Sequence, residues 1–293
     1  MARPDLLAAL KQRPLLCDGA MGTQLIAAGL QPGACGELWN VEKAEVVESI
    51  HRRYRSAGCQ LITTNTFGAT RANLERHGLV PQLAEINKSA VQNARLAAGS
   101  QGYVLGDIGP FGGFLEPVGD AAEADVLALF VEQAKALAQA DAFIIETMSD
   151  PAEMALAIRA VRNVSSLPVI ATYAFSKSPT VFRTMMGTPA ADAIKTAIDA
   201  GADVVGANCG TGLDLPDYVR LARDLMAAAG STPVILQPNA GAPRHEGGKL
   251  VYDALPQQMA AIVPQLCSAG LKIVGGCCGT TPDHLAAMGK ALS

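Results

Sequence analysis

Short apolar runs bounded by Gly, Pro, Asn or Asp recur along the whole chain, at Leu15 to Cys17, Leu61 to Thr64, Tyr103 to Leu105, Ala142 to Ile145, Val169 to Tyr173, Asp203 to Gly206, Val234 to Leu236 and Lys272 to Val274. Runs this short with such boundaries read as buried strands. Between them, apolar residues fall three and four apart, as in Val46-Val47-Ile50-Tyr54, Leu83-Ile86-Ala90-Ala94, Val126-Leu129-Phe130-Leu137, Met154-Ala157-Ile158-Val161 and Tyr218-Leu221-Ala222-Leu225. That spacing predicts helices that each bury one stripe. Strand starts separated by roughly 25 to 46 residues have the length of βα units, and eight units in succession predict an α/β fold of the (β/α)8 TIM-barrel type. An open doubly wound sheet would want G-x-G-x-x-G after its first strand, and Asp18-Gly19-Ala20-Met21-Gly22 lacks that spacing. Residues Asp5 to Lys11 read as a short N-terminal helix placed to plug the lower end of the barrel. With no Gly/Ser linker and no charge run, residues 1–293 read as one barrel domain.

Composition narrows the partners. Twenty-three Lys and Arg against 27 Asp and Glu leave a net charge of −4, so neither nucleic acid nor an anionic membrane surface is an expected partner. No apolar run approaches the roughly 18–20 residues of a membrane helix, and the N-terminus has no signal-peptide core, so a cytoplasmic protein is expected. Seven cysteines, an odd number in a long chain, argue for reduced thiols over a disulfide framework.

In a (β/α)8 barrel the chemistry sits at the C-terminal ends of the strands. The residues there are Cys17-Asp18-Gly19, Thr64-Asn65-Thr66, Gly106-Asp107, Glu146-Thr147, Tyr173, Asn208-Cys209-Gly210, Gln237-Pro238-Asn239 and Gly275-Gly276-Cys277-Cys278-Gly279. Asp18 and Glu146 suit an amine. Adjacent Cys277 and Cys278 can grip one ion only if the backbone turns, which the surrounding glycines permit. Cys209 ends the sixth strand and the pair ends the eighth, and alternate strands feed the same interior layers, so three thiols can meet. Three thiolates with no fourth protein ligand describe a catalytic zinc site with one open position, suited to holding a substrate thiol as thiolate for attack on an activated methyl carbon. A vicinal disulfide, or a Gly-rich phosphate loop beside the helix that starts at Thr281-Pro282, remains open on spacing alone. Cys17, Cys59 and Cys267 read as packing. His51, His77 and His284 read as surface or capping residues, and His245 is unassigned. No Lys ends a strand (Lys177 and Lys249 sit in loops), so a Schiff-base aldolase lacks its nucleophile.

In Asp18-Gly-Ala-Met-Gly-Thr23, Thr64-Asn-Thr-Phe67, Glu146-Thr147, Asn208-Cys209, Pro238-Asn-Ala-Gly241 and Gly275-Gly-Cys-Cys-Gly-Thr-Thr-Pro282 the chain resembles the homocysteine S-methyltransferase family, in family order over nearly its whole length. The resemblance implies a (β/α)8 barrel and Zn2+ on Cys209, Cys277 and Cys278, with the sulfur of homocysteine as exchangeable fourth ligand. It implies Glu146 on the substrate ammonium and the Asp18-Gly19 turn orienting the amino-acid end, with Asn65, Thr66 and Asn239 as further substrate-binding positions. Phe67 is followed by Gly68-Ala69-Thr70 and not by the aromatic stretch of the betaine-dependent branch, so a sulfonium such as S-methylmethionine is the expected donor, and methionine the product. No corrinoid-binding D-x-H-x-x-G occurs. The alternatives are methyl transfer between another thiol and a separate corrinoid (methylcobalamin) protein, and a zinc–thiolate redox sensor that turns nothing over.

Overall fold

The computed structural model describes residues 3–178, 181–246 and 249–292. The apolar runs form eight parallel strands, β1 (Leu15–Leu16), β2 (Leu61–Thr63), β3 (Tyr103–Ile108), β4 (Ala142–Met148), β5 (Val169–Tyr173), β6 (Val204–Asn208), β7 (Val234–Gln237) and β8 (Ile273–Val274). Neighbours pair in chain order from β2 to β8, and β8 pairs with β1. A parallel bridge between Cys17 and Leu61 brings β1 back to β2. It is flanked by bonds from Gln60 N–H to the Leu16 carbonyl at 2.8 Å and from Asp18 N–H to the Leu61 carbonyl at 3.1 Å. The sheet is therefore a (β/α)8 barrel, not an open doubly wound sheet.

Register fixes which face each residue takes. Leu61 lies opposite Tyr103, Leu105 opposite Ala142, Ile144 opposite Ile170, and Ile170 opposite Val204. These residues form one buried cluster inside the ring, whereas their neighbours Ile62, Val104, Phe143, Ile145 and Val205 join the larger cluster between sheet and helices. The interior cluster also contains Leu6, Ala9 and Leu10 of the helix Leu6–Gln12, so that helix does plug the barrel floor. Its first turn is held by the Asp5 side chain, which accepts from Ala8 N–H at 2.8 Å.

Helices cover the outside, among them Ala44–Ser56, Leu83–Ala98, Glu123–Ala136, Pro151–Val164, Leu215–Ala229, Pro256–Ala269 and Pro282–Leu292. Several begin at a proline in the first turn, where the missing N–H has no partner to lose. The last helix starts as its sequence implies: His284 Nδ1 accepts from Thr281 N–H at 3.2 Å, closing the turn as a cap. His77 is exposed. His51 is not a surface residue. It follows Val47 by four positions and precedes Tyr54 by three, which puts it on the helix stripe that Val47, Ile50 and Tyr54 bury. It is fully buried, neither ring nitrogen has a hydrogen-bond partner, and burial lowers its pKa to about 4, so the ring is neutral.

Two antiparallel hairpins, which no apolar run announces, rise from the strand-to-helix connections: Ser176–Lys177 with Phe182–Arg183, and Arg244–Glu246 with Lys249–Val251. The His245 side chain lies outside the described features. Among the described residues no helix is long and apolar enough to cross a membrane.

Candidate active site

Strand alternation builds the mouth of the barrel. Two residues beyond the inward-facing Leu15, Leu61, Leu105, Ile144 and Ile235 stand Cys17, Thr63, Asp107, Glu146 and Gln237, and four beyond Val204 stands Asn208. One inward face thus passes from apolar at the floor to polar at the top. None of these upper residues is basic.

Cys209 follows Asn208 directly. Its backbone is left-handed, with φ 55°, and Gly210 follows at φ 110°. Such a φ costs a non-glycine residue of order 1–3 kcal/mol and is retained where the surroundings enforce it. Here the Tyr218 hydroxyl, on the helix Leu215–Ala229, donates to the Cys209 carbonyl at 2.6 Å and accepts from Asn239 N–H at 3.2 Å. Cys277 and Cys278 enter from the turn after β8. Thr280 N–H bonds the Cys277 carbonyl at 3.1 Å, with Gly279 at φ 78° in the third turn position. Cys277 N–H reaches the Pro238 carbonyl at 2.8 Å, and Ala240 N–H the Cys278 carbonyl at 2.9 Å, which ties the turn to the end of β7. A Cβ on Gly275 would come within 2.8 Å of the Cys17 Cβ, and one on Gly276 within 2.5 Å of Thr280 Oγ1, so the glycines are also needed for close packing.

The three sulfur atoms lie within 4.8 Å of one another, with Cys277 and Cys278 Sγ 4.0 Å apart. Tetrahedral zinc at Zn–S of about 2.3 Å spaces its sulfurs about 3.8 Å, so these residues fit such an ion with little movement. Hydrogen bonds from the Cys277 and Cys278 thiols pull the Cys209 pKa down to about 3 against its burial, whereas Cys278 is pushed up to about 11 and Cys277 well above the ordinary thiol range. Asn239 Nδ2 lies 3.7 Å from Cys209 Sγ, Asn208 Nδ2 lies 3.8 Å from Cys277 Sγ, and Tyr252 stands beside Cys278.

Three carboxyls stand at the ends of β1, β3 and β4, that of Asp18 beside the cysteine turn, where Gly276 N–H bonds the Asp18 carbonyl at 2.9 Å. Asp18 accepts from Thr63 N–H and Thr63 Oγ1, both at 2.8 Å, yet burial raises its pKa to about 7. Glu146 is half-buried at the surface of the mouth, and desolvation, then the charges of Asp18 and Cys209, raise its pKa to about 8. Asp107 is raised further by burial and by Glu146, and its Oδ1 has no partner. A cation placed among them would relieve both the desolvation and the repulsion. Glu146 and Thr147 form a β-bulge, since Ile145 pairs with Ala171 and Met148 with Tyr173, which leaves two residues on β4 against the single Thr172 on β5. Thr147 takes φ 62° there.

The remaining expected site residues divide. Gly19 lies against Thr280 and Asn239 against Gly210, both at the mouth. Asn65 and Thr66 are buried, and the Asn65 amide nitrogen and the Thr66 hydroxyl are engaged by neighbouring loops and strands. Asn65 Nδ2 donates to the Gly36 carbonyl at 2.9 Å, and Thr66 Oγ1 to the Asp107 carbonyl at 2.7 Å. Cys17 and Cys59 are fully buried packing residues, and Cys267 is partly buried on its helix. Asp107, Asn208 and Tyr218 were not among the expected site residues. Asp107 is marked in the sequence only by lying at a strand end, Asn208 by that and by the Asn208-Cys209 motif, and Tyr218 by nothing but its place on an apolar helix stripe. Around the mouth, Ile26, Phe67, Phe114, Val118, Met185 and Leu255 are exposed, each in a segment that leads from a strand to the next helix.

A family model described as homocysteine S-methyltransferase matches residues 15–292. The metallated form of the homocysteine methyltransferase MmuM from Escherichia coli is similar in structure, with 25% identity, a TM-score of 0.79, and coverage of 97% of this chain and 98% of that one. Its oxidized form is similar at 26% identity and a TM-score of 0.78, covering 99% of this chain and 100% of that one. In sequence, methionine synthase of Mycobacterium tuberculosis is 32% identical over 310 residues and that of Mycobacterium leprae 31% over 312, each match covering 99% of this chain. The chain spans about a quarter of the length of these relatives, 25% in each case.

Proposed function

Since the chain belongs to the homocysteine S-methyltransferase family and is thereby a methyltransferase, we propose that it methylates the thiol of homocysteine to give methionine, with a zinc ion on Cys209, Cys277 and Cys278. The observation that carries this reading is the meeting of three thiols within 4.8 Å at a mouth that also holds the carboxyls of Asp18, Asp107 and Glu146. Zinc on these thiolates would supply a cation that keeps a substrate thiol ionised at neutral pH. Glu146, with Asp107 and Asp18 near it, takes the substrate ammonium. The Asp18–Gly19 turn orients the amino-acid end, Asn239 flanks the sulfur side, and Asn65 and Thr66 act through the backbone they brace. The new bond joins the homocysteine sulfur to the methyl carbon as the donor's bond to that carbon breaks. With a sulfonium such as S-methylmethionine as donor, the electron pair leaves with a neutral thioether and the thiol proton goes to solvent, so no general acid is required.

A second donor is favoured by one observation. The exposed apolar rim of Ile26, Phe67, Phe114, Val118, Met185 and Leu255 suits a macromolecule carrying the methyl group, such as a separate corrinoid protein. The similarity to methionine synthases four times as long supports the same alternative. Zinc-loaded protein is incubated with L-homocysteine and, separately, S-methylmethionine, glycine betaine or methylcobalamin, and methionine is measured by mass spectrometry. Methionine from S-methylmethionine, abolished together with zinc binding in Cys277→Ser, is the expected result; full activity in a zinc-free Cys277→Ser protein would sink the reading.

A further inference from the structure

The side chain of Asn208 bonds Thr147, the residue after Glu146, and also faces a thiol of the cluster. Asn208, at the end of β6, is 1% exposed. Its Oδ1 accepts from Thr147 N–H at 2.8 Å and from Thr172 Oγ1 at 2.8 Å. Its Nδ2 donates to Thr147 Oγ1 at 2.7 Å and faces Cys277 Sγ at 3.8 Å. Two lone pairs and two N–H groups are the whole capacity of a primary amide, and all four are engaged. The N–H and the hydroxyl of Thr147 are both held, so the amide clamps that residue in its left-handed φ of 62° and with it the bulge that contains Glu146. The same β-strand end carries Cys209 as the next residue.

Resting on the reading of the site as one for an aminothiol, we propose that Asn208 is a positioning residue that fixes the distance between the ammonium-binding Glu146 and the three-sulfur site, and so sets the length of aminothiol that the site accepts. A substrate held at both ends by rigid groups must match that distance. Cysteine, one methylene shorter than homocysteine, cannot reach both. The thiols have other supports, from the turn after β8, Tyr218 and Asn239, so loss of the Asn208 amide frees the Glu146 end while the sulfur end stays assembled.

Wild-type protein, Asn208→Leu, Asn208→Asp, and Asn208→Leu combined with Thr147→Gly are loaded with zinc, assayed for metal content and titrated calorimetrically with L-homocysteine and L-cysteine. A one-methylene difference read by a rigid site is worth roughly 10–200-fold, and wild type is expected to favour homocysteine within that range. Asn208→Leu is expected to keep its zinc and to lose at least about tenfold of that preference. Adding Thr147→Gly is expected to recover much of it, because glycine holds a positive φ without a clamp. Asn208→Asp, nearly the same shape, keeps the acceptor side and loses both donors; it is expected to lose preference too, and it carries the test if the leucine variant does not fold. An unchanged preference in a zinc-loaded Asn208 variant overturns the proposal, as does a loss that Thr147→Gly leaves unrepaired. Wild type that binds both thiols equally overturns this inference alone, whereas wild type that binds neither overturns the parent reading with it.

Discussion

Glu153 is 5% exposed near the start of the helix Pro151–Val164, and its Oε1 accepts from Phe111 N–H at 2.7 Å, which fastens the segment after β3 to the helix after β4. Burial raises its pKa from 4.5 to about 7 despite that bond. Between these two values the folded state holds a proton that the unfolded state has released. Stability therefore falls as pH rises from about 4.5 to about 7, and the full cost is present above that. Glu153→Gln keeps an acceptor for Phe111 and removes the titration. The variant is expected to match wild type near pH 4.5 and to exceed it by on the order of 3 kcal/mol at pH 8 in urea unfolding of the metal-free protein. Parallel pH profiles for the two proteins would show that this carboxyl does not titrate between those limits. His51 is the same physics in a base: it is buried and neutral, because the helix stripe, not the polarity of one residue, decides its place.

The turn after β8 is the element on which the thiol cluster depends. Gly279 sits at φ 78°, and a Cβ there would fall 2.3 Å from the Tyr252 Cβ. Gly279→Ala therefore meets both a strained φ and a hard contact, and Tyr252 lies on the segment that follows the hairpin after β7. The expected outcome is a turn displaced with Cys278, a stability loss of roughly 2 kcal/mol, and zinc held at least tenfold more weakly in competition with a chromophoric chelator. Zinc affinity equal to wild type would show that the turn tolerates the methyl group. The glycine content of Gly275-Gly-Cys-Cys-Gly made a turn expected here. The bulge at Glu146–Thr147 had no comparable signal, because a single extra residue in a strand leaves no trace in a run of apolar letters.

At the scale of the molecule, the barrel brings residues from both ends of the chain and from its middle to one point. A metal that binds three thiols from two strands binds only the folded chain with full strength, so it stabilises that state by mass action. Free zinc at about a hundred times its dissociation constant should add about 2.7 kcal/mol and raise the melting temperature by roughly 5 °C, reversibly with EDTA. Because thiols must lose protons to bind, the rise should be larger at pH 8 than at pH 6. Differential scanning calorimetry at the two pH values checks both statements; no rise at either would remove the metal from this site.

Spacing along the chain determined the number of strands, their parallel sense and the barrel, since period and unit length are local properties. It also marked Cys209, Cys277, Cys278, Asp18 and Glu146, because chemistry sits at strand ends in this architecture and those residue types are sparse. Only the tertiary structure decided the rest. The left-handed backbone at Cys209 and Thr147, the convergence of Asp107 with Glu146, and the fourfold engagement of Asn208 arise between strands distant in sequence. Asn65 and Thr66 show the limit most plainly: a polar residue at a strand end can face the mouth or brace the loop behind it, and only the neighbours that the fold supplies choose between them.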